Sequence, residues 1–137
     1  MEDKDQKATI LIVDDAKSNL DDFSAILKNE YYVKTAFDGL EAIYIIRNSF
    51  KLPDLILLDI TIPKMNGYQV CRYLKGNDRT RDIPVVFVST IGDTNEIKRW
   101  HQLGAVDFLI KPCFPIELRS CVETHIQQIK HGQYAHL

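Results

Sequence analysis

The chain has 137 residues, the length of one ordinary domain that can bury a core of its own. Hydrophobic residues make up 45% of it and charged residues 26%, which is the balance of a globular protein and not of a disordered chain. The 17 basic and 19 acidic residues give a net charge of −2, so direct binding of nucleic acid is not expected.

Export and membrane insertion also lack support in the sequence. No apolar run approaches the roughly 20 residues that span a bilayer, and the charged segment 1–7 is unlike the start of a secretory signal. The cysteines Cys71, Cys113 and Cys121 form no Cys-x-x-Cys pair, which favours reduced, packed thiols in a cytoplasmic protein. We expect one domain at residues 8–131, with flexible tails at 1–7 and 132–137.

Five short apolar runs alternate along the chain with five stretches of helical period. The runs predict strands at residues 9–13, 32–36, 55–58, 85–88 and 108–110. The first, third and fourth runs are apolar on both faces, as in parallel strands that helices cover on each side. The second run is half polar, which suits a strand at the edge of the sheet.

Apolar residues spaced three or four apart predict the helices between these strands. The first three helices are marked by Leu20, Phe23 and Leu27, then by Ala42, Ile43 and Ile46 after the candidate cap Asp38, and then by Val70, Cys71 and Leu74. The fourth is expected around Asn95 to Leu103, and the fifth begins near Pro115 with the apolar members Ile116, Val122, Ile126 and Ile129. This alternation predicts an α/β fold, a single doubly wound (βα)5 three-layer sandwich with right-handed crossovers.

Polar residues follow four of the five predicted strands at the point where each strand ends. Asp14–Asp15 follow the first, Asp59 ends the third, Ser89–Thr90 follow the fourth and Lys111–Pro112 follow the fifth. Ligands of open parallel sheets bind outside these carboxyl ends, at the point where the winding direction reverses. We therefore expect the four groups to meet at one rim.

The residue types at this rim complete one reaction. Three neighbouring carboxylates repel unless a cation lies between them, and hard oxygen ligands suit Mg²⁺, with Mn²⁺ as a substitute. Lys111 can pair with a carboxylate or a phosphoryl oxygen, Ser89 can donate to the same oxygens, and an Asp carboxylate can attack phosphorus. Taken singly, each residue reads as a cap, a turn hydroxyl or a solvated charge; the combination points to phosphoryl transfer.

Four segments resemble the receiver domains of response regulators in two-component systems. They are ILIVDD at 10–15, PDLILLDITIPKMNG at 53–67, IPVVFVS at 83–89 and GAVDFLIKP at 104–112. The resemblance extends over roughly residues 8–130, and the segments are specific because they occur in order. It implies a flavodoxin-like five-stranded parallel sheet of strand order 2-1-3-4-5.

The resemblance also implies a role for each residue of the acidic rim. Asp59 resembles the phosphorylated aspartate, and Asp15 and Asp59 resemble direct Mg²⁺ ligands. Asp14 would act mainly through a metal-bound water, and the backbone carbonyl of Thr61 would be the third protein ligand.

Further roles follow from the same resemblance. Lys111 resembles the lysine that stabilises the phosphoryl group, joined to Pro112 by a cis peptide bond. Ser89, which also contacts the phosphoryl group, and Phe108 resemble the switch pair, in which the hydroxyl moves toward the phosphoryl group and the ring turns inward. Pro63 and Gly67 would shape the loop beside the acceptor.

A receiver of this kind is a regulatory domain and not an enzyme. It would take a phosphoryl group from a histidine kinase, a phosphotransfer protein or a small phosphodonor. The surface formed by the fourth helix, the fifth strand and the fifth helix would then control an output domain or a partner protein, including a second copy in a phosphorylation-dependent homodimer. By analogy with receivers fused to cyclic-di-GMP turnover domains, such a domain is one candidate output.

Three other functions compete with this interpretation. A flavodoxin-like nucleotide binder would place backbone donors and hydroxyls after the first strand, where this chain has two acids. A haloacid-dehalogenase-type phosphohydrolase would have a second acid two residues after its nucleophile, where this chain has Thr61. A degenerate receiver that only binds proteins would lack some of the phosphorylation residues, all of which are present.

Several residues are left without a firm role. Trp100 is either an anchor for a partner or a packing residue, and Cys113 is expected to pack. His101 is expected to be semi-buried, whereas His125, His131 and His136 lack a convincing metal spacing and are expected to be solvated.

Overall fold

The computed structural model describes residues 7–90 and 94–132, and of residues 94–97 the backbone alone. Strands and helices alternate along these residues. The strands are β1 (Thr9–Val13), β2 (Tyr32–Ala36), β3 (Leu55–Asp59), β4 (Val85–Ser89) and β5 (Asp107–Ile110). The helices are α1 (Lys17–Leu27), α2 (Gly39–Arg47), α3 (Gly67–Lys75), α4 (Thr94–Gln102) and α5 (Pro115–Lys130).

The five strands form one parallel sheet in the order β2-β1-β3-β4-β5. The chain winds from β1 outward to β2 and then returns to the other side of β1, so the direction reverses between β1 and β3. Val13 pairs with Leu58 across these two strands. The predicted doubly wound (βα)5 fold and its strand order are confirmed.

Alternate side chains of the buried strands pack into two core halves on opposite faces of the sheet. In β1, Leu11 and Val13 pack with residues of α2 and α3, whereas Ile10 and Ile12 pack with residues of α1 and α5. Every residue of β1, β3 and β4 is buried, and β2 is mostly exposed at the edge. The burial agrees with the two-faced apolar runs of the sequence.

Helix caps follow the sequence signals at two of the helices. The Asp38 side chain accepts a hydrogen bond from the Glu41 amide at 2.8 Å, as predicted for the start of α2. Asn66 accepts from the Gln69 amide and Gln69 accepts from the Asn66 amide, both at 2.9 Å, so α3 begins with a capping box.

Two predictions about histidines are wrong. His125 is buried, with 6% of its surface exposed, because it lies seven residues after Leu118 on the inward stripe of α5. His101 is exposed, and its ring stacks on that of Trp100 with 4.1 Å between centroids. Ile116, which was predicted as an apolar member of the fifth helix, is also not part of the core. It is 70% exposed, and Leu118 is the buried residue of the first turns of α5.

The predicted tails fall mainly on residues 1–6 and 133–137, which lie outside the described residues. Within the part of the chain that is described, no helix combines the length and apolarity needed to cross a membrane.

The loop after β3 depends on a close backbone approach at Gly67. A Cβ atom there would lie 2.5 Å from the Asp59 carbonyl oxygen and 2.7 Å from the Ile60 Cα. We expect Gly67→Ala to lower the free energy of unfolding by about 1–3 kcal/mol, because backbone must shift to admit the methyl group. Denaturant unfolding measures this change.

Gly76→Ala at the other end of α3 is the matched control. The nearest atom to its Cβ is the Arg72 carbonyl oxygen at 3.3 Å, and the surrounding surface is exposed. We expect a change near 0.5 kcal/mol or smaller there. Equal losses in the two variants would contradict the explanation from close approach.

Candidate functional site

The register of the sheet places three carboxylates at one rim. Since Val13 is level with Leu58, the next residues, Asp14 and Asp59, leave the sheet side by side. Asp14 and Asp59 are buried and Asp15 is exposed. One oxygen from each of the three lies within 4.8 Å of the other two. The predicted acidic pocket is therefore present.

Lys111 reaches into this pocket from the end of β5. Its Nζ lies 2.6 Å from Asp14 Oδ2 and 2.6 Å from Asp59 Oδ2. The Lys111 amide donates to the Ser89 carbonyl at 2.8 Å, which extends the β4–β5 pairing by one residue. The peptide bond from Lys111 to Pro112 is cis. A single ammonium group thus bridges carboxylates from two separate strands.

Asp14 is held in place by local hydrogen bonds from the start of α1. The Ala16 amide donates to Asp14 Oδ1 at 2.9 Å, and Asn19 Nδ2 donates to Asp14 Oδ2 at 3.2 Å. Sequence reasoning did not find Asn19. Its position one residue before the buried Leu20 gave it no distinct signal, and only the turn after β1 brings its amide to the carboxylate.

The loop after β3 surrounds Asp59. The Thr61 amide donates to Asp59 Oδ1 at 2.8 Å, and the Gly67 amide donates to the Ile60 carbonyl at 2.9 Å. In a turn within this loop, the Pro63 carbonyl accepts a hydrogen bond from the Met65 amide at 2.8 Å. Of the two residues predicted to shape this loop, Pro63 lies in it and Gly67, the first residue of α3, lies at its end.

Burial and charge oppose each other at Asp59 and Lys111. Burial raises the pKa of Asp59, although hydrogen bonds from Lys111 and the Thr61 amide partly offset this effect. Burial also disfavours the charged form of Lys111, but hydrogen bonds to Asp14 and Asp59 outweigh it and raise the pKa of the ammonium. The pocket therefore concentrates negative charge, and a bound cation would stabilise the ionised carboxylates.

The donor set fits a hard divalent cation such as Mg²⁺. All the side-chain donors are carboxylate oxygens, and the exposure of Asp15 leaves room for the waters that Mg²⁺ retains. The ammonium of Lys111 already occupies the space between two of the acids, which indicates that positive charge is favoured there. The residues present fit the predicted ion.

Of the predicted switch pair, Ser89 lies at the rim, whereas Phe108 lies further back in the sheet, where it pairs with Phe87. Asp59 pairs with Val88 across the β3–β4 ladder, so Ser89 is the next residue toward the rim, and it is buried. Phe108 is partly buried and packs against the core half under α3. The Phe108 ring stacks on Trp100 with 6.3 Å between centroids. Trp100 is thus partly packed, as one of its two predicted roles requires.

Comparison with known proteins agrees with this geometry. The sequence matches the family described as the response regulator receiver domain over residues 10–123. It is 34% identical to the signal receiver domain of a signal transduction histidine kinase from Syntrophus aciditrophicus, with a TM-score of 0.81, over 90% of this chain and 92% of that one.

Two curated relatives are larger proteins. A probable cyclic di-GMP phosphodiesterase of Vibrio cholerae serotype O1 is 41% identical over 128 residues, 93% of this chain and 28% of the relative. The response regulator PleD of Caulobacter vibrioides is 43% identical over 118 residues, 85% of this chain and 26% of the relative. The chain therefore spans about a quarter of the length of these two relatives.

An acidic pocket closed by a lysine at the switch point of a parallel sheet is consistent with a phospho-acceptor site. The match covers most of the chain. The chain belongs to the response regulator receiver domain family of two-component signalling.

The raised pKa of Asp59 predicts that its charge destabilises the metal-free fold. A group whose pKa is raised by folding contributes stability below its unfolded pKa, and this contribution is lost as the pH rises through the folded pKa. We expect Asp59→Asn to raise the thermal midpoint at neutral pH in a chelator, and the difference from the parent to shrink in acid.

Asp78→Asn serves as the control for a lost acid, because the Asp78 side chain is 96% exposed. It should leave the midpoint nearly unchanged. Added Mg²⁺ should stabilise the parent more than Asp59→Asn. An Asp59→Asn variant that melts below the parent without metal would contradict the predicted sign.

Proposed function

We propose that the chain is a phospho-acceptor switch whose nucleophile is Asp59. The observation that carries this proposal is the position of Lys111 Nζ, 2.6 Å from carboxylate oxygens of both Asp14 and Asp59. A charge so placed can neutralise the acids in the resting state and pair with a phosphoryl oxygen afterwards. Asp15, at the open side of the pocket, leaves access for a donor.

In the proposed reaction an Asp59 oxygen attacks the phosphorus of the donor in line with the leaving group. The new bond joins phosphorus to the carboxylate oxygen, and the bond to the donor nitrogen or oxygen breaks. Bound Mg²⁺ would supply charge compensation for the phosphoryl oxygens, held by Asp15, Asp59 and the Thr61 carbonyl, with Asp14 acting through water. Lys111 and Ser89 would contact the remaining phosphoryl oxygens.

We infer that the switch is a shift between two arrangements of the rim. The phosphoryl group would draw Ser89 and Lys111 toward it, and Lys111 would give up its pairing with the unmodified carboxylate. Phe108 would move into the space that the Ser89 hydroxyl leaves. Since Phe108 stacks on Trp100, the movement would reach α4 and the surface formed by α4, β5 and α5.

The proposed donor is a histidine kinase or a phosphotransfer protein. A groove of about 650 Å³ opens beside Lys111, between α1 and the segment that leads into α5, and it gives a donor a path to the rim. Free cysteines agree with a cytoplasmic location. Direct contact with nucleic acid or membrane is not proposed, and a phosphorylated homodimer is one form that the output can take.

The name of one larger relative favours cyclic-di-GMP turnover as the controlled output. One relative is named as a probable cyclic di-GMP phosphodiesterase, and the part of it outside this match accounts for most of its length. The proposed role of this chain is regulatory, so any such activity would belong to an output domain.

A receiver that only binds proteins is the main competing function. It is disfavoured because Asp14, Asp15, Asp59 and Lys111 converge, an arrangement that binding alone does not require. A dehalogenase-type hydrolase is disfavoured because the residue two positions after Asp59 is Thr61, which is no acid–base catalyst.

Acetyl phosphate tests the proposed nucleophile. With Mg²⁺ we expect the intact mass to increase by one phosphoryl group, and with a chelator we expect no increase within the same time. Asp59→Asn should show no increase under either condition, since the amide is a poor nucleophile. Asp54→Asn, which removes an acid outside the pocket, is the control and should be modified like the parent. No modification of the parent would favour the protein-binding alternative.

Trp100 is the only tryptophan of the chain and reports on the proposed switch. Among the residues that the structure describes, its Nε1 has no hydrogen-bond partner, so stacking on His101 and Phe108 holds the ring. We expect the fluorescence of Trp100 to change when beryllofluoride and Mg²⁺ are added together, because Phe108 moves.

Asp59→Asn should remove this fluorescence response, and Phe108→Leu should reduce it by at least half. Either additive alone should have little effect on the parent. If acetyl phosphate phosphorylates the parent but its emission spectrum stays unchanged both then and with beryllofluoride and Mg²⁺, the proposed coupling from Phe108 to α4 is contradicted.

A further inference from the structure

A second cluster of ligand-type side chains lies at the other end of β5. Asp107 begins that strand, and Cys121 and His125 lie one turn apart on α5. A carboxylate oxygen, a thiol sulfur and a ring nitrogen of these three residues all lie within 4.8 Å of one another. Lys111 and the acidic rim follow the opposite end of β5, so this cluster is separate from the proposed phosphorylation site.

We propose that Asp107, Cys121 and His125 form a binding site for a borderline transition-metal ion, with Zn²⁺ as the natural candidate. The set joins one thiolate, one imidazole and one carboxylate, which are the ligand types that Zn²⁺ takes in proteins. Mg²⁺ prefers oxygen donors, so the two sites select different ions by chemistry.

The distances suit a tetrahedral ion. Bond lengths of about 2.3 Å to sulfur and about 2.0 Å to oxygen and nitrogen imply ligand separations of about 3.5 Å for sulfur–oxygen and about 3.3 Å for nitrogen–oxygen. The Cys121 Sγ–Asp107 Oδ2 distance is 3.6 Å, and the His125 Nε2–Asp107 Oδ2 distance is 2.8 Å. The nitrogen–oxygen pair must open by about half an ångström when an ion replaces the shared proton.

The surroundings hold these side chains in place and leave a path for an ion. The Phe108 amide donates to Asp107 Oδ1 at 2.8 Å, which orients the carboxylate so that Oδ2 faces α5. The His125 side chain is 8% exposed and the Asp107 side chain is 42% exposed. A metal entering beside Asp107 would have three protein ligands and a fourth position open to water.

Binding displaces protons from the ligands. The S–H bond of Cys121 breaks, its proton passes to solvent, and the sulfur binds the metal. The proton on His125 Nε2 passes through solvent to Nδ1, so that the ring stays neutral and the Nε2 lone pair binds the ion. Burial, together with the charge of Asp107, raises the pKa of the Cys121 thiol to about 12. In the absence of an ion the thiol is therefore protonated, and coordination must remove that proton.

The competing explanation is that His125 and Asp107 form a structural hydrogen bond, with Cys121 as a small packing residue. Such a bond would also join α5 to β5. A structural hydrogen bond does not require a sulfur beside the carboxylate. This explanation also predicts no metal binding. Direct binding of Co²⁺, which reports thiolate ligation by its absorption, separates the two explanations.

The test titrates Co²⁺ into the full chain in excess Mg²⁺, which occupies the acidic rim. We expect one equivalent to produce a sulfur-to-cobalt charge-transfer absorption, and Zn²⁺ to abolish it by displacement. Cys121→Ala should lose the absorption and bind Zn²⁺ at least roughly tenfold more weakly, since even residues that only support a ligand change affinity by about that factor. Asp107→Asn, which keeps a hydrogen-bonding side chain, should also weaken binding.

Cys113→Ala is the matched control, because it removes another partly buried thiol of the same half of the core. It should keep both the absorption and the affinity. Cys121→Ser provides a second variant if the alanine substitution unfolds the protein. No absorption in the parent, absorption that persists without Cys121, or loss of absorption in Cys113→Ala would each overturn the proposed site. None of these results depends on phosphorylation of Asp59.

Discussion

The contact on which the site depends joins one ammonium group to two carboxylates. Lys111 lies at the end of β5, Asp14 after β1 and Asp59 at the end of β3, so the contact links three strands of the sheet. Two buried acids of like charge are unfavourable together, and Lys111 relieves part of that repulsion. The strands bring the charges together, and the lysine makes their proximity tolerable. The proposed switch uses the same ammonium with a different partner.

Two opposing effects act on the charged side chains of this rim: burial disfavours their charged forms, and pairing between them favours those forms. Burial raises the pKa of Asp59 while Lys111 and the Thr61 amide act in the other direction. A buried carboxylate of this kind gains from compensation by a cation, and in the proposed reaction it becomes an acyl phosphate. Perturbed acids of this kind commonly occur where a protein does chemistry. Here the perturbation of the Asp59 pKa has an identified cause, the burial of its side chain at the end of β3.

The two ends of β5 present different chemistry. Lys111 at its carboxyl end belongs to an oxygen-rich rim that suits Mg²⁺, whereas Asp107 at its start faces a thiol and an imidazole on α5. Between them, Phe108 points to the other face and stacks on Trp100. This strand of four residues and the lysine that follows it therefore contact both proposed metal sites and the aromatic pair of the proposed switch. If a metal binds at Asp107, it would fix α5 against the strand that carries the switch residue.

Residue type and hydrophobic period were enough to predict the strands, most of the helix faces and the polar residues at the strand ends, because both are local properties of the chain. It also predicted the acidic pocket, since parallel strands end at a common rim. Contacts between residues that the fold brings together could not be predicted in this way: the Asn19 amide donates to Asp14 only because of the turn after β1. His125 looked solvated because a polar residue on an inward stripe is disfavoured until a partner is known. Only the packing of α5 against β5 supplies that partner, Asp107, at 2.8 Å.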